Sequence, residues 1–294
     1  MKISIIGIGR LGGALAIALA EKGFEIENLI VRAETENARK ISELITPKPR
    51  ILKSSELAEI SSDAIFITTQ DAKIKTVAEN LARQLKIKPT VFHASGSLSS
   101  EILVKLKNVG CSVASLHPLA SISDSTLGAR RFAGTFFCVE GDRKAVETAK
   151  EIVEILGGKS FSIETKYKTL YHAAAVTASG HLVALVDVAL EIFQKCGLTE
   201  TKARKILLPL IKSTIENLQT QTTAQALTGT FARADAETLG RQIEILSESV
   251  SAEAFEVFLQ LGLRSLHLAS RQNADGEKLE QMRRAIGLAK KNLR

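Results

Sequence analysis

Short apolar runs alternate with longer mixed stretches through the first half of the chain. Residues 2–7, 26–32, 63–68, 90–93 and 112–116 are rich in Ile, Val or Phe, and their lengths suit strands. Between them, residues 11–22, 72–84 and 99–107 read as helices. Strict alternation of strand and helix predicts a parallel sheet with helices on both faces. A further pair follows, with "GTFFCVEG" as a strand and "DRKAVETAKEIVEILGG" as a helix ended by glycines. "KSFSIE" adds a last strand near 159–163. Past Thr165 the strand pattern disappears. Helices are expected over about 166–196, 199–219, 221–228, 235–247, 251–271 and 275–292. The expected class is α/β: a mostly parallel sheet domain over residues 1–164, then an all-helical domain over 165–294.

Composition narrows the classes. A length of 294 residues suits two domains, and 45% hydrophobic against 24% charged residues is a globular balance. Cys111, Cys138 and Cys196 contain no C-x-x-C pair and lie near no metal-type histidine spacing. They read as small buried hydrophobes in a reducing compartment, and no metal is expected. The net charge of +7 raises the question of nucleic acid. The basic residues are scattered, however, Trp is absent and Tyr occurs only twice, so stacking platforms are few. An anionic cofactor and a small acidic substrate account for the excess equally well. The apolar start "ISIIGIG" is too short for a signal peptide. The stretch "HAAAVTASGHLVALVDVALEIF" carries His172, His181, Asp187 and Glu191, so it is read as a buried central helix and not as a membrane span. A cytoplasmic protein is expected.

The first chemistry lies at the end of the first strand. Gly7, Gly9 and Gly12 form G-x-G-x-x-G there, with Arg10 and Leu11 inside the motif and a helix following. In a Rossmann-type domain the first glycine permits a tight turn, the second admits a pyrophosphate, and the third lets helix and sheet pack closely. The helix N-terminus adds N–H groups and positive dipole. Arg32 stands twenty residues past Gly12, at the end of the second strand, where an acid usually binds the ribose of NAD. A guanidinium there suits the 2′-phosphate of NADP. Glu34 and Glu36 follow and leave an NAD reading open, as does a merely solvated strand end.

Ligands of such sheets bind at the carboxyl ends of the strands. Thr68, Thr69, Gln70 and Asp71 end one strand, His93, Ser95 and Gly96 the next, and His117 and Pro118 the one after. Thr69, Gln70, Ser95 and Gly96 are expected at the cofactor, and His93 and His117 at the substrate. Either histidine alone also reads as a strand-end or turn residue. Lys168, His172, Ala175 and Ser179 are spaced by four, three and four residues and share one helix face. A polar strip on an apolar helix is costly unless it faces a wet cleft or is paired. Lys168 is the expected proton donor, with His172 or Ser179 assisting; an exposed first turn and a core histidine are the alternative. In "LTGTFARADAETL", Arg233 is a candidate ligand for a substrate carboxylate. Asp235 would orient it or cap the next helix. Arg130 and Arg131 are weaker candidates for the same role.

"HASGSLSSEIL", "LHPLAS", "KTLYHAAAVTASGHLVAL" and "ALTGTFARADAET", in this order, resemble a group of predicted bacterial oxidoreductases. These pair a Rossmann-like domain with a helical C-terminal domain of unknown function, and the resemblance covers nearly the whole chain. The wider superfamily includes ketopantoate reductase, pyrroline-5-carboxylate reductase and prephenate dehydrogenase. The resemblance implies NADP-dependent hydride transfer to a small carboxylate-bearing carbonyl compound, with ketopantoate as the first candidate. An imine reductase, a prephenate- or arogenate-type dehydrogenase and a non-catalytic NADP-binding sensor or scaffold are the alternatives. Lys168 matches the lysine of ketopantoate reductases. Their asparagine position falls on Gly180, beside Ser179, which is a departure from that pattern. The wide apolar faces of 199–219 and 251–271 predict a homodimer through the helical domain.

Overall fold

The computed structural model describes residues 1–293. The chain divides into two compact units, Met1–Ser179 and Gly180–Arg294. In the first unit the elements run β1 (Lys2–Ile6), α1 (Arg10–Glu21), β2 (Glu25–Val31), α2 (Glu36–Glu43), β3 (Arg50–Lys53), β4 (Ala64–Ile67), α3 (Asp71–Gln84) and β5 (Thr90–His93). They continue through α4 (Val104–Asn108), β6 (Ser112–Pro118), α5 (Ser125–Ala129), β7 (Phe136–Gly141), α6 (Arg143–Ile155), β8 (Lys159–Phe161) and α7 (Lys168–Ala178).

All eight strands form one sheet in the order β3-β2-β1-β4-β5-β6-β7-β8. The first six are parallel, β7 runs antiparallel to β6, and β8 is parallel to β7. Ile65, Phe66 and Ile67 of β4 are sealed on both faces, which is why that strand is a continuous apolar run. One core lies on the side of α1 and α6, around Leu15, Leu19, Phe132 and Ile152. The other lies on the side of α3 and α4, around Ile74, Leu81 and Leu106. Chain order reverses on either side of β1, so the carboxyl ends of β1 and β4 open a crevice of the kind that holds ligands.

Two features of this unit differ from expectation. β3 was not expected, because "RILK" offers only four residues, two of them apolar, on a sheet edge. The boundary lies at Ser179 and not near residue 164. The sheet does end at Phe161, but α7 stays with it because Lys168 at its start is buried against Cys138 of β7.

The second unit consists of α8 (Gly180–Lys195), α9 (Glu200–Thr220), α10 (Gly229–Ala232), α11 (Ala236–Ser249), α12 (Ala252–Ser270) and α13 (Gly276–Asn292). Thr199, Asp235, Ser251 and Asp275 cap α9, α11, α12 and α13 by accepting from backbone N–H groups. Leu239, Phe255, Leu259, Leu266, Met282 and Ile286 form its core. Residues 221–228, expected to be helical, form a turn in which the Gln225 side chain accepts from Thr222 N at 3.1 Å.

The expected single helix over 166–196 is broken at Ser179, whose φ of −115° and ψ of −69° depart from helical values. By length and composition the stretch Thr165–Lys195 could cross a membrane, yet only 6% of its most apolar window is buried. The expectation of a buried central helix therefore fails for the single chain. Val183 is 71% exposed on α8, and Leu208 and Leu210 are 54% and 63% exposed on α9. Small residues and alternating apolar positions give these helices more apolar faces than one chain's layer covers.

Candidate active site

The glycine turn is built as its spacing predicts, but its three glycines do different work. Gly7 has φ +100°, and a Cβ there would stand 2.8 Å from the Thr69 side chain. A Cβ on Gly12 would stand 2.1 Å from the Gly7 carbonyl oxygen. Both positions are glycine because the protein itself occupies the space. At Gly9 a Cβ meets nothing within 4 Å, and its φ of −87° suits any residue. Packing does not demand glycine there, so close approach of something outside the chain is the physical reason left for it.

Neighbouring side chains hold the carbonyls of the turn. Thr68 Oγ1 donates to Gly7 O at 2.7 Å, Asn37 Nδ2 to Ile8 O at 2.8 Å, and Ser125 Oγ to Arg10 O at 3.2 Å. The N–H groups of Arg10, Leu11 and Gly12 open α1 and have no acceptor within it. The Thr69 hydroxyl beside the turn is buried and has no partner among the described residues. An open space above Gly9, three outward N–H groups and an orphaned hydroxyl fit the pyrophosphate of a dinucleotide.

Arg32 follows β2 directly, is exposed, and forms no ion pair among the described residues. Its competitor Glu34 is bound to Arg39 Nε at 2.7 Å, which holds the Glu34 carboxyl below the usual carboxylate range. Glu34 is therefore occupied, and Arg32 is the free charge at this strand end.

Along the rim, Asp71 joins two strand ends. One of its carboxylate oxygens accepts from Ser95 Oγ at 2.8 Å and Ser97 Oγ at 2.7 Å. His93 is sealed at the end of β5, where its Nδ1 accepts from Ser95 N at 3.2 Å and its Nε2 meets no acceptor at full bonding distance among the described residues. Burial pushes the His93 pKa down to about 4 and the Lys168 cation adds to this, while the Ser99 backbone and, more weakly, Asp71 oppose it. His93 is thus a neutral residue of the inner wall. Gln70 is exposed at the start of α3.

Gly96 is the point where the histidines close in. A Cβ there would lie 2.4 Å from His172 Cδ2 and 2.8 Å from His117 Nε2. The His117 and His172 rings stand 5.9 Å apart, nearly perpendicular. His117 Nδ1 lies 2.8 Å from the Tyr171 hydroxyl. Burial, then the Lys168 cation and His172, lower the His117 pKa to about 4.

Lys168 is 2% exposed. Its Nζ lies 3.9 Å from Cys138 Sγ and 5.5 Å from the Tyr171 ring centre, and it forms no ion pair among the described residues. Burial lowers its pKa, opposed in part by Cys138 and Glu140. Glu140 is engaged elsewhere, accepting from Ser100 N at 2.8 Å and Ser100 Oγ at 2.7 Å. A buried lysine without a carboxylate gives up a proton more readily than a surface one.

One row of contacts thus runs from the glycine turn of Gly7, Gly9, Arg10, Leu11 and Gly12, through Thr69 and the Asp71–Ser95 bond, to Gly96, His117 and His172, while His93 and Lys168 are sealed. Ser179 does not join it. It is exposed beyond the end of α7, about 10 Å along the helix axis from His172. Arg233 and Asp235 belong to the second unit. There Asp235 Oδ1 accepts from Thr238 N at 3.0 Å, so this residue serves as the cap of α11, and Arg233 is exposed. Tyr171, Cys138 and Glu140 join the cluster without being candidates from the sequence. Only Tyr171 left a signal, at i+3 from Lys168 on the same helix.

Residues 1–118 match the model of a Rossmann-like domain, and residues 135–264 match the domain of unknown function DUF2520. The two matches follow one another along the chain, and the second begins at β7 and runs into α12. A solved protein of Thermotoga maritima is 26% identical, with a TM-score of 0.70 over 92% of this chain and 99% of that one. A candidate NADP oxidoreductase of Bacteroides fragilis is 21% identical, with a TM-score of 0.73 over 90% and 97%. Among curated proteins, the NAD(P)+ glycerol-3-phosphate dehydrogenase of Enterococcus faecalis is 34% identical over 107 residues. Those residues are 33% of this chain and 31% of that one, so the match spans about a third of the relative's length. Pyrroline carboxylate reductases, an imine reductase and a prephenate dehydrogenase share the fold at 15–17% identity.

Proposed function

We propose that this chain is an NADP-dependent oxidoreductase that reduces a small carboxylate-bearing carbonyl compound, with ketopantoate as the first substrate to test. The observation that carries the reading is Lys168: a sealed cation with no carboxylate partner among the described residues, within electrostatic reach of His93 and His117 at the strand ends. NADPH, when bound, supplies the hydride. The N–H groups of Arg10, Leu11 and Gly12 would hold its pyrophosphate, and Arg32 its 2′-phosphate. Lys168 gives its Nζ proton to the carbonyl oxygen as that oxygen becomes negative. The neutral amine it leaves behind is the form that burial favours. Gly180 stands where ketopantoate reductases carry an asparagine, so substrate contacts here must differ in detail from theirs.

The exposed apolar faces of α8 and α9 support a homodimer in which a second copy covers them. Light scattering at micromolar concentration should give twice the chain mass, and a monomer would refute the dimer. For the reaction, NADPH binding is measured first by titration, followed by turnover of ketopantoate and a panel of keto acids and cyclic imines. Growth of a pantothenate auxotroph lacking ketopantoate reductase decides the substrate. Stoichiometric NADPH binding without turnover of any panel member would overturn the enzymatic reading in favour of a sensor.

A further inference from the structure

The contact between His117 and Tyr171 has no place in the scheme above. It joins the end of β6 to the first turn of α7 through a 2.8 Å bond between Nδ1 and a phenolic hydroxyl. We propose that Tyr171 is a positioning residue that fixes His117 in the tautomer with its proton on Nε2, so that His117 acts as a neutral hydrogen-bond donor to the substrate oxygen. The proposal rests on the hydride-transfer reading for its purpose, but the tautomer itself does not.

The direction of the bond follows from acidity. A phenol, with a pKa of about 10, is a stronger acid than a neutral imidazole N–H, and an imidazole nitrogen is a stronger base than a phenol oxygen. The shared proton therefore stays on the Tyr171 oxygen and points at Nδ1. Burial raises the Tyr171 pKa further, which keeps the hydroxyl proton in place. A neutral imidazole that accepts at Nδ1 must carry its proton on Nε2. His117 is held neutral because burial, Lys168 and His172 all disfavour the imidazolium, with only Asp71 opposing.

Nε2 makes no hydrogen bond among the described residues, and it is not one of the sealed polar atoms. It lies over Gly96, in the space that a side chain at that position would take. A free N–H donor therefore faces the rim on which the carbonyl would lie. As the new C–H bond forms, the C=O π pair moves onto oxygen, and the His117 N–H stabilises that charge. The oxygen then takes a proton from Lys168 Nζ, so one O–H bond forms and one N–H bond breaks. His117 keeps its own proton throughout. The two residues divide the work: Lys168 supplies the proton and His117 the fixed dipole.

The test uses the cofactor-free chain labelled with ¹⁵N-histidine at pH 7. Long-range ¹H–¹⁵N spectra read each tautomer, and a His117→Asn variant assigns the signal among the five histidines. The expected wild-type result is an unprotonated Nδ1 and a protonated Nε2. Tyr171→Phe keeps the ring that faces Phe161 at 5.8 Å and Lys168 at 5.5 Å but loses the hydroxyl. It should give a mixed tautomer and lower kcat by roughly tenfold to a hundredfold, with the NADPH affinity unchanged. A wild-type His117 protonated at Nδ1, or an unaltered tautomer in Tyr171→Phe, would overturn the proposal. Should Tyr171→Phe fail to fold, the wild-type spectrum alone decides. If no substrate is turned over, the tautomer result still stands, so failure of the reaction reading is told apart from failure of this one.

Discussion

The glycine turn after β1 and the histidine–lysine cluster around Gly96 use the same device with opposite consequences. In each, a glycine yields its side-chain space to another group: Gly12 to the Gly7 carbonyl, Gly96 to His117 and His172. In the turn, the groups left facing outward are main-chain N–H donors, whose polarity no pH alters. In the cluster the groups that close in are titratable side chains whose charge depends on burial, with His117 held neutral and the Lys168 pKa lowered. A phosphate site needs the first kind of permanence, and proton transfer needs the second kind of adjustability. The two regions should therefore fail differently when broken.

The largest effect is expected at Lys168. A cation that can release a proton serves best when its pKa approaches the working pH, and arginine cannot do this. Lys168→Ala and Lys168→Arg should both lower kcat by roughly 10²–10⁴, with NADPH affinity nearly intact. The donor must be protonated, so wild-type kcat should fall as pH rises, starting below the range of an ordinary lysine. Lys166 is exposed and bound to Glu164 at 2.6 Å, and Lys166→Ala should change neither constant. Full activity in Lys168→Ala, read by steady-state kinetics, would move the role to His172.

The turn should break by sterics. Gly12→Ala places a methyl group 2.1 Å from the Gly7 oxygen, so α1 must shift away from the sheet. A cost of about 1–3 kcal/mol in denaturant unfolding is expected, together with loss of NADPH binding. Gly9→Ala meets no protein atom and should leave stability within about 0.5 kcal/mol of wild type. Its NADPH affinity should nevertheless fall at least tenfold. Equal loss of stability in both variants would mean that Gly9 is structural after all.

This contrast also explains what was legible beforehand. The turn is local: a strand, three glycines and a helix at fixed spacing specify it without knowledge of the rest. Arg32 follows from counting along β2, and the shared face of Lys168 and His172 from helical periodicity. The cluster is not local. Its parts come from the ends of β5 and β6, from β7 and from α7, and the antiparallel entry of β7 brings Cys138 and Glu140 beside Lys168. Apolar runs do not reveal strand direction, so those two residues could not be placed. The break at Ser179 was hidden because alanine, glycine and apolar residues continue a helical pattern through it. β3 was hidden because a short edge strand needs little apolar sequence.

A smaller effect is expected at the far end of the turn's ligand. Arg32→Asp removes the one free cation expected at the 2′-phosphate. A charge-assisted bond of this kind is worth about 1.5–3 kcal/mol, so NADPH affinity should fall roughly ten- to a hundredfold. Titration of NADPH and NADH against both proteins reads the change, with NADH affinity expected to hold or rise. A wild type that already prefers NADH would pass the role to Glu34, which would then have to leave Arg39.

The smallest effect concerns the folded state alone and separates the two regions by pH. His93 is sealed, with its pKa lowered to about 4 from 6.5. Its folded value lies below its unfolded one, so between those values the unfolded chain binds more protons. Stability must therefore rise with pH through that window and be lost as pH falls from about 6.5 toward 4. Between pH 7 and pH 5 the loss from this one residue should be on the order of 1–2 kcal/mol. His117 adds a loss of the same sign, discounted for its partial exposure. In His93→Asn the side-chain oxygen can still accept from Ser95 N, but nothing titrates, so the fall in unfolding midpoint over that range should be visibly shallower. The N–H groups of the glycine turn carry no such term, and Gly9→Ala should keep the wild-type pH slope. An unchanged slope in His93→Asn would show that the fall comes from other groups and that His93 gains as much from its surroundings when charged as it loses by burial.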